Sequence, residues 1–162
     1  MSTLYRTQDI DRKMKRIAII VLLLVSAVSC SKIFVYDQID AVVYFLHSGT
    51  VSLKPTTTAY DAVVYRGGLS GTPTANISVD KSVMDNYNAD NAASYNLLPE
   101  GCYSIPASAV TIDEATGAAH CQISLTLDGL SPGFWMLPLK LTSSEAKVNE
   151  KKNVLMLILE VK

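Results

Sequence analysis

The sequence has few of the residues that usually carry out enzyme chemistry. Only two histidines, His47 and His120, occur among its 162 residues, and neither belongs to an HExxH zinc-binding pattern. The adjacent carboxylates Asp113 and Glu114 precede a turn, and turn formation explains them. An active site needs a poised nucleophile, an acid–base pair or a set of metal ligands. The sequence therefore predicts a protein that is not an enzyme, with no catalytic residue, no metal ligand set and no cofactor.

Neither sign of charge predominates, since the formal net charge is only −1. Binding to nucleic acid through phosphates needs a clustered basic surface, so nucleic acid is not expected as a partner. The one dense basic cluster, residues 12–16, directly precedes an apolar run. A basic segment followed by an apolar one is typical of an export signal.

That apolar run, IAIIVLLLVSAVSC at residues 17–30, ends in small residues and a cysteine. A membrane-spanning helix needs about 20 apolar residues, so the run indicates a secretory signal peptide instead. Its end, SAVSC, resembles the lipobox of bacterial lipoproteins, in which Cys30 would carry the lipid and become the mature N-terminus. Ala27 stands where lipoboxes more often have leucine, and the alternative is a general secretory signal with an accidental cysteine. The lipobox predicts the membrane as a partner, held through several acyl chains on Cys30.

The signal and the strand pattern together predict three parts of the chain. Residues 1–29 are the predicted signal peptide, with translation expected to start at Met14, because the sequence from that methionine is a complete signal. Residues 30–40 are a lipidated tether, and residues 41–162 are the folded domain. In that domain, short β-rich runs alternate with turn residues, which predicts an all-β sandwich of about seven strands. One short helix, with Asp80 or Ser82 as its N-cap, is expected in the segment that crosses between the sheets.

This crossing segment carries a resemblance to a known family. Tyr87-Asn88, Tyr95, LLPE at residues 97–100, Tyr103 and the later LPLKL at residues 137–141 resemble the domain-of-unknown-function family 1735. The resemblance covers nearly all of the predicted mature chain and implies an immunoglobulin-like β-sandwich near the N-terminus of exported lipoproteins of Bacteroidota-type bacteria. It departs at Ala92-Ala93, where the family commonly has a loop glycine.

The family's link to outer-membrane glycan utilisation implies a non-catalytic, membrane-anchored binding or scaffold module. A glycan or a neighbouring surface protein would be its partner, and the outer membrane its location, on the cell surface or on the periplasmic face. Two alternatives stay open. The chain could be the N-terminal part of a multidomain endoglycosidase or glycan-binding lipoprotein, or a structural subunit of a surface appendage that assembles through strand edges.

Two cysteines besides Cys30 are left for structural roles. Cys102 and Cys121 could form a disulfide in an oxidising compartment, or they could remain two small buried hydrophobic residues. Cys121 shares its strand face with Ile123 and Leu125, so it is expected in the core. His120 then faces outward, where a single imidazole makes no metal site.

Two later segments predict an apolar surface. In GFWMLPLKL, residues 133–141, Trp135 and the leucines share the core face, so the alternate residues face outward. In NVLMLILEV, residues 153–161, the charge of Glu160 marks the outer face. If these strands are neighbours, their outward residues form a patch for docking a partner protein, a neighbouring domain or a second copy: Phe134, Met136, Val154, Met156 and Ile158.

Overall fold

The computed structural model describes residues 40–68 and 71–162 of the chain. These residues form eleven strands: β1 (Val42–Phe45), β2 (Gly49–Leu53), β3 (Ala59–Gly67), β4 (Thr74–Val79), β5 (Asn96–Leu97), β6 (Tyr103–Ser104), β7 (Ala109–Thr111), β8 (Ala118–Leu125), β9 (Gly133–Thr142), β10 (Lys147–Val148) and β11 (Val154–Val161). One α-helix, α1 (Lys81–Asn91), and one 3-10 turn (Glu100–Cys102) interrupt the described strands.

The strands form two sheets that pack face to face. The first sheet has the order β10-β1-β3-β8-β6, and the second has the order β2-β11-β9-β4-β7, with β5 paired to β9. Most neighbours are antiparallel, but the pairs β1–β10, β2–β11 and β5–β9 are parallel. The predicted all-β, immunoglobulin-like sandwich is confirmed.

The core lies between the sheets because the inner positions of their long strands are apolar. Along β8, Cys121, Ile123 and Leu125 are buried while the residues between them are exposed. One continuous cluster joins these residues to buried residues of the second sheet, including Leu139 and Leu157. Each buried aliphatic side chain contributes about 1.5–3 kcal/mol, so this cluster is the main source of stability.

The segment between β4 and β6 crosses from the second sheet to the first, as predicted. It begins with α1, whose N-cap is Asp80: the Asp80 carboxylate accepts a hydrogen bond from the Ser82 backbone N–H at 3.0 Å. The helix ends at Ala92, and β5 then pairs with β9 before the chain enters β6. Leu98, which follows β5, is buried in the core cluster.

Four strands were not predicted from the sequence, namely β2, β5, β6 and β10. Three of them are two residues long and have no detectable period. The fourth, β2, follows directly on a glycine turn and lies at the edge of the second sheet, so its outward residues Thr50 and Ser52 are polar and exposed. An edge strand with one face exposed to solvent has fewer apolar residues than a central strand, so its sequence is harder to recognise.

Candidate functional site

The residues predicted to form an apolar patch do lie together on the outer face of the second sheet. Strands β9 and β11 are antiparallel neighbours, and Ile158 is paired with Met136 while Glu160 is paired with Phe134. Phe134 is 49% exposed, whereas Val154, Met156 and Ile158 are half-buried. The two strands therefore present one row of mostly apolar side chains outward, and its use as a docking surface stays a prediction.

Met136 is a correction to that prediction. It is fully buried, although its position along β9 points it away from the core between the sheets. Helix α1 packs on β9, and its Met84 is also buried without belonging to the central core cluster. The sequence pattern gave the correct face but could not show that a helix covers part of it. Met136 is therefore covered and does not belong to an exposed surface.

A groove of about 340 Å³ lies at the uncovered end of this outer face. It runs across the ends of β2, β11 and β9 and reaches the segment that follows α1. The side chains that give it its chemistry are Ser52, Lys54, Tyr95, Phe134, Ile158 and Glu160. Its volume falls at the lower end of the range for small-molecule sites, about 300–1,000 Å³. The groove thus combines two aromatic rings with one carboxylate, one ammonium group and the hydroxyls of Ser52 and Tyr95.

A row of three aromatic rings forms one wall of this region. Tyr95 contacts Phe134 edge to face, with ring centroids 5.9 Å apart and planes at 70°. Tyr87, on α1, contacts Tyr95 in the same way, with centroids 5.8 Å apart. Edge-to-face pairs of this kind contribute about 0.5–1.5 kcal/mol beyond the area that they bury. Alternation along β9 predicted Phe134 as the one aromatic residue on this face, because Tyr95 lies 39 positions earlier in the chain.

Asn88 holds Tyr95 in place. Its side-chain amide donates to the Tyr95 carbonyl at 2.9 Å, and its side-chain oxygen accepts from the Tyr95 backbone N–H at 3.0 Å. This reciprocal pair acts like one rung of a sheet ladder between the helix and the strand that follows. The two residues of the Tyr87-Asn88 pair therefore have different roles. The ring of Tyr87 packs against the ring of Tyr95, and the side-chain amide of Asn88 fixes the backbone of Tyr95.

The turn between α1 and Tyr95 explains a departure from the family pattern. Ala92 adopts the left-handed conformation, with φ of 49° and ψ of 38°, and its N–H bonds the Asn88 carbonyl. Glycine takes this conformation freely, whereas a Cβ atom costs about 1–2 kcal/mol. Ala92 therefore occupies, under strain, a backbone conformation that glycine adopts more readily, and it lies in the Ala92-Ala93 segment where the resemblance implies a loop glycine.

The other end of α1 is fixed to β9 by charge. The Asp80 carboxylate accepts from the Ser82 hydroxyl at 2.6 Å and from Lys140 Nζ at 3.0 Å. The Ser82 hydroxyl and then the Lys140 ammonium hold the pKa of Asp80 below its ordinary value of 3.8. Because Lys140 lies on the outer face of β9, the cap also holds the helix on the face that it covers.

The groove has an acidic side. Burial raises the pKa of the Tyr95 hydroxyl, and the nearby Tyr87 and the charge of Glu160 raise it further. Glu160 is about half exposed, and Lys162 Nζ lies 3.9 Å from its Oε1, at the outer limit of an ion pair. The negative field of Glu160 therefore extends along the groove as far as Tyr95.

One pattern that can indicate chemistry was missed in the sequence. Residues 129–133, GLSPG, match the G-x-S-x-G form of a nucleophile elbow. That elbow needs a strand, a sharp turn and a helix that begins at the serine. Here the segment connects β8 to β9, Pro132 follows the serine, and the Ser131 carbonyl accepts from the Trp135 indole N–H at 3.1 Å. Ser131 is therefore a turn residue.

Asp61 and His120 lie on the first sheet, whereas the strands that line the groove belong to the second. His120 faces outward on β8, as predicted, and its Nδ1 lies 2.7 Å from Asp61 Oδ2 in an exposed pair. Within the described residues, no group of three or more histidine, cysteine, aspartate or glutamate side chains is arranged to hold a metal ion. His47, after β1, is also exposed.

The disulfide that the sequence allowed is absent from the structure, in which Cys102 and Cys121 are both free. Cys102 lies opposite the end of β8, where its carbonyl accepts from the Thr126 N–H at 2.9 Å. Cys121 lies five positions further along that strand. At about 3.3 Å per residue the two are some 16 Å apart, well beyond the 7 Å that a disulfide can span. Cys121 is buried in the core as expected, and Cys102 is half-buried.

The predicted signal peptide, Met14 and the lipidation site Cys30 lie outside the described residues. Among the residues that the structure does describe, no helix is long and apolar enough to cross a membrane. The boundaries at residues 29 and 40 stay predictions.

Comparison with known proteins identifies the family. A family model described as "-like, N-terminal domain" matches residues 34–148, well over half of the chain. The chain belongs to this N-terminal domain family. The resemblance to the family 1735 domain is confirmed as well. A multidomain protein including that domain, from Bacteroides ovatus, shares the fold with a TM-score of 0.51 and 17% identity, over 75% of this chain and 43% of that one.

Two further structures share the fold of this N-terminal domain. A suspected carbohydrate-binding protein from Bacteroides ovatus is similar with a TM-score of 0.63 and 22% identity, over 73% of this chain and 36% of that chain. EndoBT-3987 from Bacteroides thetaiotaomicron, solved with its Man5GlcNAc product, has a TM-score of 0.57 and 14% identity, over 68% of this chain and 28% of that chain. A search of the curated proteins found no match. This chain therefore spans well under half the length of these neighbours, and at these identities the likeness shows the fold.

Proposed function

We propose that this protein is a non-catalytic glycan-binding module on a lipid-anchored protein of the bacterial outer membrane, and that the groove beside Phe134 is its sugar site. The observation that carries the proposal is the row of aromatic rings at the edge of a groove that also holds a carboxylate and a hydroxyl. Sugar rings present apolar C–H faces and polar edges. Aromatic rings with a few placed polar groups match both features.

The exposure of Phe134 supports a ligand at this position. Phe134 and Leu46 are the large hydrophobic residues that the described part of the chain leaves exposed. Phe134 differs from Leu46 because it lies in a groove, next to a tyrosine that two hydrogen bonds from Asn88 hold in place. A held aromatic pair loses little conformational freedom when a ligand stacks on it, and this pre-organisation favours binding.

Two structural neighbours supply the ligand class. One is a suspected carbohydrate-binding protein, and the other was solved with a Man5GlcNAc product. In the described residues the groove has no histidine and no pair of carboxylates, so binding without hydrolysis is proposed for this chain. Cys30 would supply the membrane anchor, with the binding domain at the cell surface or on the periplasmic face.

Binding to glycans tests the proposal directly. Affinity electrophoresis of the purified protein through gels that contain single polysaccharides should show retardation by at least one of them. Phe134→Ala should weaken that binding about tenfold, which corresponds to the loss of about 1.4 kcal/mol from one stacked ring. Leu46→Ala is the matched control, since Leu46 is 45% exposed on the other sheet, and it should leave binding unchanged. Equal retardation of both variants and the parent would contradict the groove as the site.

The lipid anchor has its own test. Cys30→Ser should leave unprocessed precursor and abolish incorporation of labelled fatty acid in cells. Met14→Ala should remove the mature protein if translation starts at Met14. Normal processing of Cys30→Ser would overturn the lipoprotein assignment and leave the glycan site untouched.

A scaffold role is the second candidate, because the family is an N-terminal domain and the match covers only 28–43% of each of the three neighbours described above. The outward residues Val154, Met156 and Ile158 would then pack against a following domain. An in-frame continuation of the coding sequence downstream of the stop codon, together with no retardation by any polysaccharide, would favour the scaffold over the binding module.

A further inference from the structure

We propose that the groove selects neutral glycans and rejects glycans that carry carboxylate or sulfate groups, with Glu160 as the residue that makes this choice. The inference rests on the proposed function and adds the chemical class of the ligand. It starts from the position of Glu160, which lies directly opposite Phe134 in the pairing of β9 with β11. A sugar that stacks on Phe134 must therefore lie beside this carboxylate.

Glu160 is a free acceptor for sugar hydroxyls. Its side chain is 53% exposed, and its nearest cation, Lys162, has an 86% exposed side chain and stands 3.9 Å away. An exposed ion pair at this distance is weak, so it leaves the carboxylate charge largely uncompensated. A carboxylate accepts hydrogen bonds from neighbouring hydroxyls, and it repels a second anion at the same distance.

The cations of the groove do not match an acidic sugar. Lys54 follows Leu53, which pairs with Leu159, so Glu160 lies between Lys54 and Phe134 across the three strands. Carboxylate and sulfate groups are usually bound by bidentate arginine or by several converging donors. No arginine lines the groove in the described residues, and Lys54 is a single flexible ammonium group. An anion at the stacking ring would therefore meet Glu160 before it met a cation.

The raised pKa of the Tyr95 hydroxyl agrees with the position of Glu160 in the groove. Glu160 is among the groups that raise the pKa of Tyr95, after burial and Tyr87, and no lysine opposes them there. The aromatic end of the groove is therefore on the acidic side. A hydroxyl-rich, uncharged ring satisfies both the aromatic wall and the carboxylate.

Matched pairs of polysaccharides test this inference with the backbone held constant. Galacturonan, glucuronoxylan and alginate would each be offered to the full-length protein in mild detergent, as the acidic polymer and after chemical reduction of its carboxylates to hydroxymethyl groups. Neutral galactan and mannan and a sulfated galactan complete the panel. We expect the neutral forms to bind about threefold to fivefold more tightly than their acidic counterparts, the effect of one exposed charge pair. Raising the salt concentration should reduce the difference by screening.

Glu160→Gln separates the charge from the hydrogen-bonding capacity. Glutamine keeps an acceptor oxygen, so binding of the neutral form should stay within about twofold while the preference over the acidic form disappears. Lys162→Gln, the matched control, should leave the preference in place. If the acidic forms bind as well as the neutral ones, the inference is overturned and the glycan-binding function stands. If the folded protein binds neither form of any polymer, the proposed function fails and this inference fails with it.

Discussion

Strands β8 and β9 are both central strands, yet their outward faces differ. Three outward residues of β8, namely His120, Gln122 and Ser124, are exposed and polar. Among the outward residues of β9, Met136 and Pro138 are buried, whereas Phe134 is exposed at one end of the strand. An antiparallel sheet that faces water alternates apolar and polar residues, as β8 does. An apolar outward row therefore indicates a cover, and the place where the cover ends is the place to look for a ligand.

The largest loss of stability is expected at the fully buried outward residue of β9, Met136. Met136→Ser should lower the free energy of unfolding by about 3 kcal/mol, because it replaces a fully buried side chain with a smaller polar one. Ser124→Ala, at an exposed outward position of β8, should change it by no more than about 0.5 kcal/mol. Urea unfolding of the purified domain measures both. Equal effects would mean that the helix does not pack on β9.

The attachment of the cover is the next target. Asp80→Ala should cost about 1 kcal/mol, because it removes the N-cap of α1 and its link to Lys140. Asp85→Ala removes only an exposed pair with Lys81 and should cost a few tenths at most. The folded pKa of Asp80 lies below 3.8, so its contribution is present above about pH 4 and is lost as the pH falls through the folded value. The difference between parent and Asp80→Ala should therefore shrink below pH 4.

The uncovered residues should matter less for stability. Phe134→Ser combined with Met156→Ser should lower the melting temperature by only a few degrees, about 1 kcal/mol, because these side chains are exposed or half-buried. The same double variant should raise solubility and disrupt any self-association that the parent shows in sedimentation velocity. Failure of this variant to fold would show that the outward row is structural along its whole length.

The smallest effect is a gain in stability. Ala92→Gly should stabilise the domain by about 0.5 kcal/mol, the relief of left-handed strain less the added freedom of the unfolded chain. Ala93→Gly, at the next position, relieves no such strain and should be destabilising. Thermal melts of the pair distinguish the two results. A loss at both positions would contradict the left-handed conformation of Ala92.

Much of the fold could be predicted because the core strands repeat with a period of two. Ala75 and Ile77 of β4 and the leucines of β9 took the inner positions that their alternation indicates. Short strands such as β5 and β10 have no period to detect, and β2 is recognised by the strand it pairs with, not by its own residues.

The candidate site was less predictable because it joins distant parts of the chain. Phe134 and Glu160 could be placed on one face by alternation, and the structure confirms that placement. The position of Tyr95 beside Phe134 depends on the path of the chain after α1 and on two hydrogen bonds from Asn88, neither of which has a period. The burial of Met136 depends on the same path. Tertiary packing, and not residue type, decided both.

The position of β11 has a consequence for the order of assembly. It is the last strand of the described chain, yet it lies inside the second sheet between β2, one of the earliest strands, and β9. During synthesis, which proceeds from the N-terminus, β1 can pair with β3 early. Strand β2 has no partner in its sheet until residues 154–161 have been made. Contacts of such long range slow folding, and the second sheet can close only once residues 154–161 are available. Until then β2 stays an unpaired strand whose backbone groups any other extended segment could bind, so pairing with β11 also protects the domain from association through this edge.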